Sequence, residues 1–388
     1  MILNRKELLG VMESSGIKEY GVDKQAIYGK WKNRKVSRVI AGLDNSDGDG
    51  VLLRLLETEE NLERFICGME AAVSVLGAKE KVLYIPDYAC GLAEPLHEAL
   101  TGKGIEIKVG LIDVRSTEHD MVCHFITLLE LADCISGNYQ EGIYISVNGG
   151  ALSKVLPNRK VSELISDEHV KGLELGYGIY GPEALSMDIG AAKIDNGVIH
   201  VFTEQACMVS EVEKRISRSR ERSCGTCVFC REGLLQLQEM HKDIREGKGK
   251  AEYPELISEI GSSMAYSCMC SLGQEGARAA MGALAGFDTE YMTHIKRKKC
   301  AAGVCFSKAI YYIDPATCEG CGECMDVCPA DCIEGKNGYI HMIDTIDCTG
   351  CGACVPACEA QAIVRSDGKL PKLPNRLMKC GRFKSKRI

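Results

Sequence analysis

The chain has 388 residues, 45% of them hydrophobic and 26% charged, which are proportions of a globular protein with several domains. Its formal net charge of −7 argues against nucleic acid as the main partner. The first residues lack the apolar core of a signal peptide, and no apolar run approaches the roughly 18 residues of a membrane span, so we expect a cytoplasmic chain. In that setting the 22 cysteines predict metal binding and not disulfides.

Residues 1–140 alternate strands with helices, after a polar start that gives no firm element. Strands are predicted at 36–43, 81–86 and 105–109, and helices at 59–77 and 92–100. Strands separated by helices of this length imply βαβ units and a parallel sheet covered on both faces. Such a sheet can bind a nucleotide at its carboxyl edge.

Residues 141–205 have a different sequence pattern. Short β-branched runs at 143–147 and 198–202 stand among glycine and proline turns, which predicts a small β-rich module. Residues 206–293 then become helical, beginning with a basic helix that leads into a cysteine motif.

That motif places Cys224, Cys227 and Cys230 at C-x2-C-x2-C spacing, at the start of a helix whose N-terminal dipole favours anionic thiolates. The fourth ligand must come from elsewhere, and Cys268 and Cys270 are both available. Three cysteines also suit a lone zinc site. We favour a [4Fe-4S] cluster, because an electron donor to the cysteine runs that follow needs a redox-active centre, and zinc is redox-silent.

Residues 294–366 carry the strongest signal, two C-x2-C-x2-C-x3-C runs in which the fourth cysteine of each reaches the other cluster. The spacing predicts one [4Fe-4S] cluster on Cys318, Cys321, Cys324 and Cys358, and a second on Cys348, Cys351, Cys354 and Cys328. A zinc ribbon rarely uses two interlocked runs, and a disulfide framework needs an oxidising compartment. Three clusters in all predict a chain that transfers electrons.

The tail, residues 367–388, carries eight lysines and arginines and no acid after Asp367. Such a run is either a solvated tail or a docking strip for an acidic partner subunit. Five further cysteines stand among apolar residues and are expected to be small buried core residues: Cys67, Cys90, Cys123, Cys134 and Cys207.

The helical cysteine motif points to a family. S-C-G-T-C-V-F-C-R-E-G at 223–233, with A-C-M-V at 206–209 and C-S-L-G at 270–273, resembles the 51 kDa-type NADH-binding flavoprotein subunit of complex I and of NAD-dependent and electron-bifurcating hydrogenases. The hydrogenase relatives also append a two-cluster ferredoxin segment, through a piece similar to residues 294–305. The resemblance implies that Cys270 is the fourth ligand, that residues 1–140 form a Rossmann-like domain and that residues 141–205 form a β-grasp-like (SLBB-type) module.

The resemblance also suggests a zinc site. Cys300 and Cys305, together with His341 between the ferredoxin runs, look like a structural zinc set of the hydrogenase relatives. The fourth ligand is open, with Cys380 and Cys332 as candidates, and the alternative is two buried thiols and an ordinary surface histidine.

The flavin and nicotinamide site of that family departs most from its pattern. The family's glycine-rich loop, G-R-G-G-x-G-F-P-x-G-x-K-W, is replaced at 20–31 by Y-G-V-D-K-Q-A-I-Y-G-K-W. The segments at 42–50 and 121–129 also lack the family's residues. Because side chains cannot supply the close approach of bare backbone, we expect FMN and NADH binding to be lost and the sheet to remain as scaffold.

Together these observations predict a degenerate Rossmann-like α/β domain, a β-grasp-like module, a helical [4Fe-4S] domain and a ferredoxin-like domain. The function expected is that of an iron–sulfur electron-transfer subunit of a cytoplasmic multi-subunit oxidoreductase. A partner subunit would supply the catalytic site and the contact with ferredoxin or NAD(P)H, and no catalytic residue is assigned. The alternative is an FMN-containing NAD(P)H dehydrogenase (diaphorase) subunit of a hydrogenase- or formate dehydrogenase-type complex with an atypical loop.

Overall fold

A computed structural model describes residues 3–167, 169–305, 310–348, 350–366, 370–374 and 376–383. The chain forms two compact units, Met1–Ala302 and Gly303–Ile388. Among the described residues, no helix is both long and apolar enough to cross a bilayer.

The first unit opens with a four-stranded parallel sheet in the order β3-β2-β1-β4. Its strands are β1 Arg38–Gly42, β2 Glu80–Ile85, β3 Ile105–Val109 and β4 Met121–His124. The accompanying helices are α1 Arg5–Ser15, α2 Ile27–Trp31, α3 Glu59–Leu76, α4 Ala93–Ala99 and α5 Phe125–Ser136. Helices α3 and α5 pack closely, since a Cβ at Gly68 would clash with the Leu128 carbonyl oxygen. The Rossmann-like parallel sheet is confirmed.

Four elements of this domain, α1, α2, β4 and α5, escaped the sequence prediction. Helix α1 begins with a capping box, in which the Asn4 side chain accepts from the Lys6 and Glu7 amides and Glu7 accepts from the Asn4 amide. Strand β4 runs directly into α5 without a turn residue, and His124 caps the helix by accepting from the Ile126 amide. Almost every residue of α5 is buried, so its sequence shows no amphipathic period.

A five-stranded mixed sheet follows, in the order β6-β5-β9-β7-β8. Its strands are β5 Ile143–Val147, β6 Ser153–Val155, β7 Gly172–Leu175, β8 Gly178–Tyr180 and β9 Val198–Phe202. Strands β5 and β9 are parallel and the other pairs antiparallel, which is the strand order and direction of a β-grasp sheet. One face buries a core that includes Leu173, Leu175 and Ile199.

Six helices complete the first unit: α6 Met208–Arg222, α7 Val228–Arg245, α8 Tyr253–Ser267, α9 Ser271–Glu275, α10 Arg278–Gly286 and α11 Asp288–Arg297. Helix α7 buries one apolar stripe, with Leu234, Leu237 and Ile244 fully covered. Helix α10 lies against β8, where a Cβ at Gly282 would clash with the Ile179 carbonyl oxygen.

The second unit has the ferredoxin-like arrangement of two short antiparallel strand pairs around cysteine loops. Strand β10 Ile310–Ile313 pairs with β13 Ile363–Ser366, and β11 Ile333–Glu334 pairs with β12 Met342–Ile343, both antiparallel. Helix α12 is the single turn Glu323–Asp326. The small core of this unit consists of buried aliphatic residues mixed with cysteines, so the fold depends on what those cysteines bind.

Candidate metal centres

The helical cysteines converge on one cavity of about 260 Å³ in the first unit. Cys224, Cys227 and Cys230 come from the loop before α7 and its first turn, and Cys270 comes from the residue before α9. Cys227 is the N-cap of α7, so the amide end of that helix faces the cavity. The structure therefore brings together the four thiols that the resemblance assigns to one cluster.

The environment of this cavity favours thiolate at its rim. The amide and hydroxyl of Thr226 lower the pKa of Cys224, and the Arg115 guanidinium acts in the same direction. Arg115 also lies near Cys227. A positive charge and hydrogen-bond donors beside the sulfurs are what an anionic cubane requires.

Cys268 lines the same cavity as a fifth thiol but differs from Cys270. It is 5% exposed and hydrogen-bonded to Cys230, and burial raises its pKa to about 12. A Cβ at Gly273 would lie 2.6 Å from the Cys268 sulfur, so the glycine of the C-S-L-G motif makes room for this thiol. Cys268 is thus the more buried of the two thiols, and the resemblance assigns the fourth ligand position to Cys270.

The second unit brings the eight ferredoxin cysteines into two groups. Cys324 interacts electrostatically with Cys321, Cys318 and Cys358. In the other group, Cys354 interacts with Cys348, Cys351 and Cys328. Each group contains the last cysteine of the opposite run, as the interlocked spacing predicts. The Ala362 amide donates to the Cys358 sulfur at 3.3 Å and the Gly350 amide to the Cys348 sulfur at 3.4 Å, which is the backbone support that thiolate ligands need.

The two cysteines considered as fourth zinc ligands lie beside these groups. The Cys332 sulfur is 3.5 Å from the Cys328 sulfur, and the Cys380 thiol lies beside Cys318. Cys380 belongs to the basic tail, whose residues 376–383 pair with residues 338–340 of the same unit. That part of the tail is ordered against the cysteine loops and is not a free solvated strand.

A different set of residues gathers around Cys300. Within the first unit, Cys207, His294 and Cys300 each offer a ligand atom, and these atoms lie within 4.8 Å of one another. The His294 Nε2 is 3.3 Å from the Cys207 sulfur, while its Nδ1 is 2.8 Å from the Glu290 carbonyl oxygen, which orients the ring. Cys305 follows at C-x4-C spacing from Cys300, close enough in sequence to supply a fourth thiol.

This set differs from the one that the sequence suggested. His341 is not a member of the group that the described residues form around Cys300. It lies in the second unit, 1% exposed, and its Nε2 has no hydrogen-bond partner among the described residues. Cys207 is a potential ligand as well as a core residue, and Cys67 and Cys90 are exposed instead of buried. His294 stands six residues before Cys300, a spacing that could have identified it from the sequence.

The carboxyl edge of the parallel sheet holds a cavity of about 370 Å³, lined by residues that follow β1 and β4. The Asp44 carboxylate accepts from the Val22 amide at 2.8 Å, and a Cβ at Gly21 would clash with it. Glu19 is buried nearby and accepts from the His124 amide and the Thr127 hydroxyl, both at 2.8 Å. Burial raises the pKa of Asp44 to about 7 and lowers the pKa of His124 to about 3.

Comparison with known proteins agrees with this arrangement. Residues 211–294 match the NADH-ubiquinone oxidoreductase-F iron-sulfur binding region, and residues 317–364 match the 4Fe-4S dicluster domain. The helical cysteines lie inside the first match and the ferredoxin cysteines inside the second. Over part of its length the chain is therefore similar to the 51 kDa-type NADH-binding subunits.

Individual relatives show how far that relationship extends. The chain is 35% identical over 146 residues to the NADP-reducing hydrogenase subunit HndC of Solidesulfovibrio fructosivorans, which is 38% of this chain and 30% of that protein. It is 27% identical over 175 residues to the NADH-quinone oxidoreductase F subunit of Mycobacterium bovis, 45% of this chain and 36% of the other. The matches therefore span about a third of these curated relatives.

Similarity of fold extends further than similarity of sequence. The crystal structure of NAD+-reducing [NiFe]-hydrogenase in the H2-reduced state superposes with a TM-score of 0.63 at 16% identity, over 76% of this chain and 63% of that chain. At this identity the match establishes the fold alone.

Proposed function

We propose that the protein is an iron–sulfur electron-transfer subunit of a multi-subunit oxidoreductase, with three [4Fe-4S] clusters. The observation that carries the proposal is the arrangement of twelve thiols in three groups of four, each in its own cavity or loop pair. When bound, the clusters supply the one-electron chemistry, and the protein positions, covers and hydrogen-bonds their sulfurs. Cytoplasmic location remains a prediction from the sequence.

The sheet edge supports the absence of a flavin in this chain. A phosphate binds where free amides and positive charge are presented to it. Here the Val22 amide already donates its hydrogen bond to the Asp44 carboxylate, and Glu19 adds a second acid to the same cavity. Lys30 also lines the cavity, but it pairs with Glu19 at 3.4 Å and Asp23 at 2.8 Å. These residues do not fit an FMN phosphate, and the proposed electron transfer does not include a flavin.

The rival function, an FMN-containing NAD(P)H dehydrogenase subunit, is separated by a simple reduction test. Reconstituted protein should bleach on addition of dithionite, as three clusters accept electrons. NADH alone should leave the visible spectrum unchanged, because no flavin is present to split a hydride pair into single electrons. Bleaching by stoichiometric NADH, without a partner subunit, would favour the dehydrogenase.

A structural zinc ion is proposed at Cys207, His294 and Cys300, and Cys305 stays a ligand candidate from its sequence spacing to Cys300. Three thiolates and one imidazole are a common structural zinc set, and a tetrahedral zinc ion holds its ligand atoms about 3.8 Å apart. The spread of the three grouped atoms in the first unit fits one such ion. Its role would be to fix the segment after α11 to the start of α6. Elemental analysis should find about one zinc per chain.

A partner subunit is required by this proposal, because the chain offers clusters and no assigned catalytic residue. The curated relatives are themselves named as subunits of a hydrogenase and of NADH-quinone oxidoreductase. Affinity purification from the native cell, followed by identification of the co-purifying chains, should return another redox subunit. Purification of the chain alone, at native expression level, would argue against a complex.

A further inference from the structure

The C-terminal segment, residues 376–383, forms a backbone-paired cover on the second unit. The Ile340 amide donates to the Met378 carbonyl at 2.9 Å, and the Cys380 amide donates to the Gly338 carbonyl at 3.2 Å. Tyr339 and Lys379 form an antiparallel bridge between these two bonds. The position of Cys380 is therefore fixed by its own backbone and its neighbours.

This pairing holds the Cys380 thiol against the loop of the first ferredoxin group, the one containing Cys318. The Gly338 amide donates to the Gly320 carbonyl at 3.0 Å, and Gly320 lies between Cys318 and Cys321. A Cβ at Gly320 would lie 3.0 Å from the Cys380 sulfur and 2.7 Å from the Tyr339 amide nitrogen. Gly320 also has φ +76°, so glycine is required there on two grounds.

The Cys380 thiol lies beside Cys318, yet the ligand positions of this group are already assigned to Cys318, Cys321, Cys324 and Cys358. A cubane takes four thiolates, so a fifth thiol at this place is left as a neutral S–H group. Its available partner is the Cys318 sulfur, which becomes more negative when the cluster gains an electron. A donor to that sulfur stabilises the reduced state more than the oxidised state.

We propose that Cys380 is a positioning residue of the electron-transfer chain, whose thiol donates a hydrogen bond to the Cys318 sulfur and raises the reduction potential of the first ferredoxin cluster. The inference rests on the proposed function. Reduction adds one electron to the cluster, and the thiol proton stays on Cys380 in both states. The exposed cations of the same segment, Arg376, Lys379 and Arg382, add a smaller, salt-screened contribution in the same direction.

The test is an EPR-monitored redox titration of the full-length reconstituted protein, comparing wild type with Cys380→Ala and Cys380→Ser. In Cys380→Ala we expect one of the three midpoint potentials to fall by ~59 mV. For one electron, this is about a tenfold change in the reduction equilibrium. Cys380→Ser should restore most of the difference, since its hydroxyl also donates. Iron content should stay at the wild-type value in both variants.

Two matched controls identify the cluster concerned. Cys332→Ala removes the thiol 3.5 Å from the Cys328 sulfur of the other group, and any midpoint that it moves should be a different one. Cys67→Ala removes an exposed thiol of the first unit and should move none.

Unchanged midpoints in Cys380→Ala, or a loss of about four iron atoms showing that Cys380 is a ligand, would overturn the inference while leaving the proposed function standing. Wild-type protein that reconstitutes without the ferredoxin clusters would instead overturn the proposed function itself.

Discussion

The cysteine cavities and the carboxyl edge of the parallel sheet differ in what their side chains do. At the helical cavity, five thiols, four of them assigned as ligands, and the amide end of α7 face a common space of about 260 Å³. At the sheet edge, the Asp44 carboxylate takes an amide that an anion would need, beside buried Glu19. The helical cavity presents thiol ligands to a cofactor, whereas the polar groups at the sheet edge form hydrogen bonds with other groups of the protein.

This difference follows from what each cofactor demands of a sequence. A cubane needs four thiols at short spacing, and helices of varied sequence can carry them. A flavin phosphate needs several consecutive residues whose backbone is bare and whose charge is not negative. The second requirement is lost after a few substitutions, while the sheet that carried it stays folded because its core is elsewhere.

The largest effect that would sharpen this contrast is expected at the helical cavity. Cys227→Ser should remove one cluster and lower the iron content from about twelve to about eight atoms per chain, since the N-cap thiol of α7 is lost. The ferredoxin clusters should keep their EPR signals, because their ligands lie in the other unit. Iron analysis together with EPR measures both outcomes.

Cys268→Ala is the matched control, because it removes a thiol from the same cavity without removing an assigned ligand. It should retain about twelve iron atoms. If Cys268→Ala lost a cluster and Cys270→Ala kept it, the fourth ligand would be Cys268 and the assignment of Cys270 would be wrong.

Removing a ligand of the proposed zinc ion, which is redox-silent, is expected to have an effect of intermediate size. His294→Ala should lose the proposed zinc ion and lower the thermal unfolding midpoint by several degrees, because that ion would join α6 to the segment after α11. The iron content should not change. His341→Ala is the control that separates the two histidines, and it should retain zinc.

Zinc loss in His341→Ala with zinc retained in His294→Ala would restore the ligand set expected from the sequence. It would also remove the reason for assigning Cys207 to the site.

The smallest effect concerns the carboxylate at the sheet edge. The pKa of Asp44 is raised to about 7, so the folded state binds its proton more tightly than the unfolded state does. The stability from this group is fully present below the unfolded pKa of 3.8 and is lost as pH rises through about 7. Asp44→Asn should therefore be more stable than wild type at pH 8, by roughly 4 kcal/mol, and should show a flatter dependence on pH.

Thermal unfolding midpoints of both proteins, measured from pH 5 to pH 8, check this expectation. If the difference between the two midpoints were constant across that range, Asp44 would stay ionised in the folded protein. The sheet edge would then hold a negative charge that a bound cation compensates.

Sequence reasoning recovered the features that depend on short spacing. The strands at 143–147 and 198–202 have the same bounds in the structure, and the twelve cysteines fall into the expected groups. It failed where contacts join distant residues or where burial removes periodicity. Cys207 is 87 residues from His294, and α5 is buried on nearly all sides. Helix α1 was missed although Asn4 and Glu7 carry a capping box.

We expect the protein to hold iron and no flavin, and one preparation can measure the content of both. Protein reconstituted with iron, sulfide and excess FMN, then desalted and denatured in acid, should release about twelve iron atoms per chain and no flavin. Release of about one FMN per chain, with twelve iron atoms or fewer, would contradict the central claim.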